Sequence, residues 1–262
     1  MGYPISQILM VRLKSKADIE LLKISGSILA HVLRELEKKV CSGVSLLDLD
    51  KFASEIIKNA GGEPAFLGYK ATSHSTPYPA VICASRNEII VHGIPYDVSL
   101  KDGDLISLDT GIRYGKMVTD GAITLGVGQI SKDAENLLKT AKNALKQGLK
   151  YCKPGYRLGD VGSAIEEEAK REGFFVVEKL TGHGVGFDLH EEPTVYNFGE
   201  KGTGGALEPG MVLAIEPMLA LGTSEVKERD DGSFETKDGS LAAHFEKTIV
   251  ITERGFIDLT PW

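Results

Sequence analysis

Apolar and polar positions follow two rhythms along this chain. Behind Ser15 they recur at helical spacing: Leu22, Ile28/Leu29, Val32/Leu33, Leu36 and Val40, with Asp18 placed three residues after Ser15 to complete a capping box. Ser42-Gly43 stops this helix. Ser45 starts a second, with Asp48 as its acid, a stripe of Leu49, Phe52/Ala53 and Ile56/Ile57, and Gly61-Gly62 as its end. The spacing predicts a third helix from Ser131 to about Cys152, broken by Lys153-Pro154-Gly155, and a fourth over Leu158–Glu172, ended by Gly173. Shorter apolar runs read as strands: Ala80–Ser85, Glu88–Val91, Leu105–Thr124, Phe174–Lys179, the stretch leading to Met218, and Ala242–Thr252. Asp230–Ser240 is polar and lacks calcium-loop spacing, so it reads as hairpin turns.

The run Leu105–Thr124 carries the first unusual chemistry. A tight turn centred on Tyr114-Gly115 would set Asp109 directly across from Asp120, on one face of a hairpin among Leu, Ile, Val and Ala. Two opposed, poorly solvated carboxylates repel and need compensation. A divalent cation, a shared proton, or a salt bridge to Lys116 or Arg113 in the turn would each supply it.

The two halves of the chain echo each other. Helix, Gly43, helix, Gly61 recurs as helix, Gly155, helix, Gly173, and Gly103 followed by Asp109 recurs as Gly210 followed by Glu216. A repeat of this length predicts a pseudo-two-fold α+β domain over 1–262, with halves at about 15–127 and 131–252, rather than a solenoid. The symmetry brings Asp109 and Glu216 to equivalent places. Four strand acids, Asp109, Asp120, Glu216 and Glu246, together with glycine-flanked His183, then suggest an oxygen-rich site for one or two divalent metals. The glycines around His183 let backbone approach closely, and no strand–GxGxxG–helix context makes them a dinucleotide motif. His92, at a strand end where the chain bends, is a functional candidate. His31 on the first helix reads as solvated, and His74 as an exposed loop residue. Phe66, Tyr69 and Tyr78 fit either an apolar pocket or satellite packing.

Composition narrows the class without naming it. The chain has 262 residues, 42% hydrophobic and 26% charged, ordinary for a globular protein. Its net charge of −7 argues against nucleic-acid or membrane-surface binding. No apolar run reaches the length of a membrane span, and the first eleven residues lack the basic and apolar regions of a secretory signal. Cys41, Cys83 and Cys152 are scattered, form no zinc motif and point to a reducing compartment.

Five stretches together resemble type I methionine aminopeptidases of the pita-bread fold: Asn87–Pro95, Gly103–Ala122, Gly182–Pro193, Gly210–Met218 and Asp238–Thr252. The resemblance spans nearly the whole chain. It implies that Asp109 chelates one divalent ion, that Asp120 and Glu246 bridge two, and that His183 and Glu216 hold the other. The ions would be cobalt, manganese, iron or zinc. It further implies Glu216 as general base, His190 as a donor to the substrate carbonyl oxygen, and His92 as a contact to the substrate amide nitrogen. The methionine side chain would sit among Phe66, Tyr69, Tyr78, Cys83 and Leu189. The implied substrate is the N-terminal Met of nascent polypeptides with a small second residue. The ribosome is a candidate partner, the chain is expected to work as a monomer in the cytoplasm, and neither nucleic acid nor membrane is expected to bind.

The chain departs from that pattern in places. Leu189 replaces an aromatic, Ser233-Phe234 stand where a Trp is usual, Lys247 replaces a His, and about Thr72–Pro77 are extra. Two other functions remain in view: an Xaa-Pro aminopeptidase or prolidase on the same fold, and a metal-free, peptide-binding pseudoenzyme.

Overall fold

A computed structural model describes residues 11–70, 72 and 75–262. The stretch 1–10, which holds most of the expected signal-free start, lies outside the described residues, as does His74. Helix α1 (Lys16–Lys39) begins at the Ser15/Asp18 capping box, with both reciprocal bonds made. Helix α2 (Leu46–Asn59) follows Ser45, whose hydroxyl accepts from Leu47 N–H. Asp48, expected to close a second box, instead lies 3.6 Å from Lys51. Strands β1 (Glu63–Pro64), β2 (Cys83–Arg86) and β3 (Ile89–Val91) lead to the long hairpin of β4 (Leu105–Tyr114) and β5 (Met117–Gly126). Helices α3 (Lys132–Leu149) and α4 (Leu158–Arg171) come next. The remaining strands are β6 (Phe175–Val176), β7 (Gly182–Gly184), β8 (Glu191–Val195), β9 (Val212–Ile215), β10 (Met218–Ala220), β11 (Val226–Glu228), β12 (Phe234–Thr236), β13 (Ala242–His244), β14 (Lys247–Thr252) and β15 (Gly255–Asp258). The order of two helices followed by strands thus occurs twice.

Strand β4 pairs with β5 and also with β1 and β2. A second sheet runs β15-β14-β9-β7-β8, a third β13-β10-β6, and a fourth β11-β12-β3. The main core lies between the helices and these sheets, with Leu29, Leu33, Ile57, Leu108, Ile165, Leu213 and Ile249 fully buried. Helix α1 lies directly on the hairpin. A Cβ at Gly121 would stand 2.9 Å from Leu29 Cδ2, and the Ser25 hydroxyl donates to the Ile112 carbonyl at 2.7 Å.

Four sequence expectations need correction. The hairpin turn is centred one residue later, on Gly115-Lys116, so Asp109 faces Ala122 and Asp120 faces Gly111. Gly115, with φ 58°, takes the first central position, where a two-residue hairpin loop favours Gly. Moving the centre by one shifts the register by two and preserves the face, so the two carboxylates remain diagonal neighbours on one side. Second, neither acid-bearing strand of the second half is continuous. Glu216-Pro217 separates β9 from β10, and Phe245-Glu246 separates β13 from β14. Pro217 has no N–H for the ladder. Ile215 pairs with Lys247 and Met218 with His244, so one register holds on both sides of the kink and Glu216 stands across from Glu246. Third, Phe174–Lys179 is a strand only over β6, because Val177 bonds to Met218 alone beyond it. Fourth, Ala80–Ile82 precede rather than join β2, their amides at Val81 and Ile82 held by the Asp50 carboxylate at 2.9 and 3.1 Å.

Candidate metal centre

The hairpin and the kinked strands meet where the acids converge. Asp109 and Asp120 come from β4 and β5, Glu216 and Glu246 from the two kinks, and His183 from the middle of β7. His183 owes its place to its neighbours: a Cβ at Gly182 would lie 2.4 Å from the Ala214 carbonyl, and one at Gly184 only 2.2 Å from that of Glu192. Only Gly lets three strands close so tightly around this ring. His183 Nδ1 lies 2.9 Å from the Gly184 carbonyl, and donation there leaves Nε2 bare on the acid side. Nε2 stands 3.4 Å from Glu216 Oε1 and 4.0 Å from Asp120 Oδ2.

One further residue joins the cluster. His244, at the end of β13, places Nε2 3.3 Å from Glu216 Oε2 and 4.0 Å from Glu246 Oε2. The hydrophobic pattern does not single it out. Its signal is the spacing to Glu246 along an otherwise apolar segment, which would put both on one face of a strand. Donor atoms fall into two groupings, Asp120/His183/Glu246 and Glu216/His244/Glu246, each with its atoms within 4.8 Å of one another. Asp109 belongs to neither and lies beside Asp120.

Two buried threonines lock these strands together. The Thr248 hydroxyl accepts the Asp120 N–H at 2.9 Å and donates to the Asp120 carbonyl at 2.7 Å. The Thr124 hydroxyl accepts the His244 N–H at 2.8 Å and donates to its carbonyl at 2.6 Å. The Glu216 carbonyl takes a bond from Asn197 Nδ2 at 3.0 Å.

The electrostatics of the cluster are those of a cation site. Asp109, Asp120, Glu216 and Glu246 are 8%, 4%, 8% and 1% exposed. Among the described residues, only His183 and His244 offer these carboxylates a basic nitrogen within 4.0 Å. Lys116, one possible salt-bridge partner, pairs instead with Asp18 at 2.6 Å. Burial, then the charge of Asp120, pushes Asp109 and Glu216 well above the usual carboxylate range. The same causes act on Glu246, and burial lifts Asp120 to about 7. Burial also depresses His183 to about 4 and His244 to about 3, keeping both rings neutral. Asp109 Oδ1, Glu246 Oε1 and both ring nitrogens of His244 are buried without a hydrogen-bond partner. Orphaned oxygens and neutral imidazoles around one point fit divalent cations, which neutralise the acids and complete these atoms.

The centre lies in a cleft of about 550 Å³. Phe66, Tyr69, Tyr78, Cys83 and Leu189 all line it. They form one apolar cluster, with Phe66, Cys83 and Leu189 buried. Gly111 makes room for them: its Cβ would stand 2.8 Å from Phe66 Cε1 and 3.1 Å from Leu189 Cδ1. Ser75 and Thr76 of the extra loop also reach the cleft. His190 lies 4.3 Å between ring centroids from His183, the two rings tilted by 56°, and its Nδ1 lies 2.6 Å from the Tyr69 hydroxyl. His92 directly follows β3 with φ 61°, a left-handed conformation, and its ring lines the cleft in an edge-to-face pair with Phe234. Both rings are open to cleft water, and the protein around them holds both below the ordinary imidazole range.

The chain matches metallopeptidase family M24 over residues 20–253, and it belongs to that family. The fold is therefore that family's pita-bread fold. The methionine aminopeptidase of Aquifex aeolicus is 42% identical, the match covering 95% of this chain and 98% of the relative. Methionine aminopeptidase 1 of Bacillus subtilis is also 42% identical, covering 96% and 99%. The crystal structure of methionine aminopeptidase from Thermotoga maritima superposes with a TM-score of 0.92 at 40% identity, covering 96% of this chain and 99% of that one. Within its family the chain stands with the methionine aminopeptidases.

Proposed function

We propose that this chain removes the N-terminal methionine from polypeptides whose second residue is small. The observation that carries the reading is the pair of donor groupings sharing Glu246 at the base of a cleft with an apolar wall. Asp109, Asp120, His183, Glu216 and Glu246 would hold two divalent ions. Bound there, such ions polarise a carbonyl and lower the pKa of water.

The residues around them divide the remaining work. Phe66, Tyr69, Tyr78, Cys83 and Leu189 take the methionine side chain and fix the first residue. His92, neutral and projecting from a strained turn, accepts the N–H of the scissile amide. Tyr69 donates to His190 Nδ1, which leaves Nε2–H to donate to the carbonyl oxygen as negative charge develops on it. Glu216, ionised when divalent ions are bound, takes the proton from the attacking water at its carboxylate, and burial makes that carboxylate a stronger base than an exposed glutamate. The substrates are nascent chains, with the ribosome as a candidate contact and the cytoplasm as the place of action. One copy of the chain carries every group named and would work as a monomer.

A peptide panel tests this. The metal-stripped protein is supplied with Mn, Fe, Co or Zn in turn and given Met-Ala-Ser and Ala-Pro-Ser peptides. Methionine release that stops on chelation and returns with metal is the expected result. Faster cleavage before proline would favour the Xaa-Pro reading. Metal uptake without release from any peptide would leave a binding protein.

A further inference from the structure

We propose that His244 is itself a metal ligand, donating Nε2 to the ion held between Glu216 and Glu246. The inference rests on the two-ion reading above and adds to it a second imidazole.

Its first support is local geometry. His244 is 1% exposed, and neither ring nitrogen makes a hydrogen bond. A ring whose purpose was to hold Glu216 would show an N–H aligned on that carboxylate. Instead Nε2 and Glu216 Oε2 stand 3.3 Å apart, nearly matching the 3.4 Å from His183 Nε2 to Glu216 Oε1. Donors about 2.0–2.1 Å from a tetrahedral ion stand roughly 3.3–3.4 Å from each other. Glu216 is thus flanked on its two oxygens by two imidazoles, each at ligand-to-ligand distance.

The second support is independent and comes from the backbone. Asp120 lies four residues before Thr124, and His244 four residues before Thr248. Each threonine clamps the other strand's residue at both N–H and C=O. The exchange is reciprocal, so Asp120 and His244 occupy equivalent places in the two halves. Asp109 and Glu216, each six residues after a turn glycine, are related in the same way. At the position where the first half presents Asp120 to the metals, the second half presents His244. Each donor grouping then contains one imidazole.

X-ray absorption of the protein loaded with two zinc ions decides the matter. We expect about one imidazole per zinc, averaged over both ions, against about half if His183 is the lone ring ligand. His244→Gln keeps a hydrogen-bonding side chain without the ring, so it separates ligation from positioning. In that variant the imidazole count should halve, the visible band of the cobalt-loaded protein should change, and one cobalt affinity should fall at least about tenfold. An unchanged count and spectrum in His244→Gln, or about half an imidazole per zinc in the parent, would overturn the proposal. If the variant fails to fold, the parent's count still decides. A parent that takes up no divalent ion would overturn the two-ion reading instead.

Discussion

His190 sits between the Tyr69 hydroxyl and the ring of His183, and donation from that hydroxyl to Nδ1 would place the ring proton on Nε2. It touches no carboxylate of the centre. His190→Ala should therefore lower kcat by roughly 10²–10³ while metal content is retained, the range for losing one donor to a developing oxyanion. A variant purified without its metals would show that the ring is a ligand instead. Leu189, the next residue, argues at the same scale. It fills space over Gly111 that an aromatic ring would extend into the cleft, and Ser233, where a Trp is usual, is fully buried with its hydroxyl on Asp231. An apolar wall discriminates by only about 1–3 kcal/mol per methylene even when well fitted. We expect norleucine and Leu at the first position to be accepted readily, and Leu189→Phe to sharpen the preference for Met at unchanged metal affinity. The check is kcat/KM for the three substrates in both proteins. Rejection of Leu by more than about a thousandfold in the parent would mean that Ser75 and Thr76 of the extra loop close the gap.

At the scale of elements, the kinked pairing of β9–β10 with β13–β14 places two acids and His244, and the threonine clamps tie that pairing to the β4–β5 hairpin. Thr248→Val would leave the buried N–H and C=O of Asp120 without partners, costing about 1–3 kcal/mol for each group. The Tm should fall, and metal affinity with it, because Asp120 loses its fixed position. Thr248→Ser should restore both. A valine variant with parental Tm and affinity would remove the clamp from the account. The same elements show what the sequence carried. All four helices and the acid-bearing hairpin were legible, because caps, stripes and a turn glycine are local signals. The hairpin's centre was not, since Tyr114-Gly115 and Gly115-Lys116 both put Gly115 in the turn and only the glycine's order within it distinguishes them. The kinks were hidden because apolar residues run on both sides of Glu216-Pro217 and of Phe245-Glu246, so a continuous strand fits the pattern of each stretch. His244 was hidden for a related reason: its role depends on a strand from the other half of the chain, and no local rhythm reports that pairing.

Over the whole molecule, the centre makes folding depend on pH in a way that metal should reverse. Burial raises the pKa of Asp109, Asp120, Glu216 and Glu246, with Asp120 at about 7 and the others pushed well above their ordinary values. In the metal-free protein these groups stabilise the fold when protonated. That contribution is complete below the unfolded carboxylate range of about 4 and is lost as pH rises through the folded values. The histidines oppose this at lower pH. His183 at about 4 and His244 at about 3 are neutral in the fold, while their unfolded counterparts protonate below about 6.5, so they remove stability as pH falls. Between about pH 4 and 6.5 the two effects work against each other. Above about 6.5 the histidines are neutral in both states, and only the acids remain. The Tm of the metal-free protein should therefore fall steadily from about pH 6.5 to 8.5. Divalent ions bind the ionised acids and should raise the Tm most at the alkaline end, flattening or inverting the slope. Thermal melts at closely spaced pH values, with and without a saturating divalent ion, measure both. A metal-free Tm that rises across this window would mean that the four acids are already neutralised by protein groups, and that the centre needs no cation to be stable.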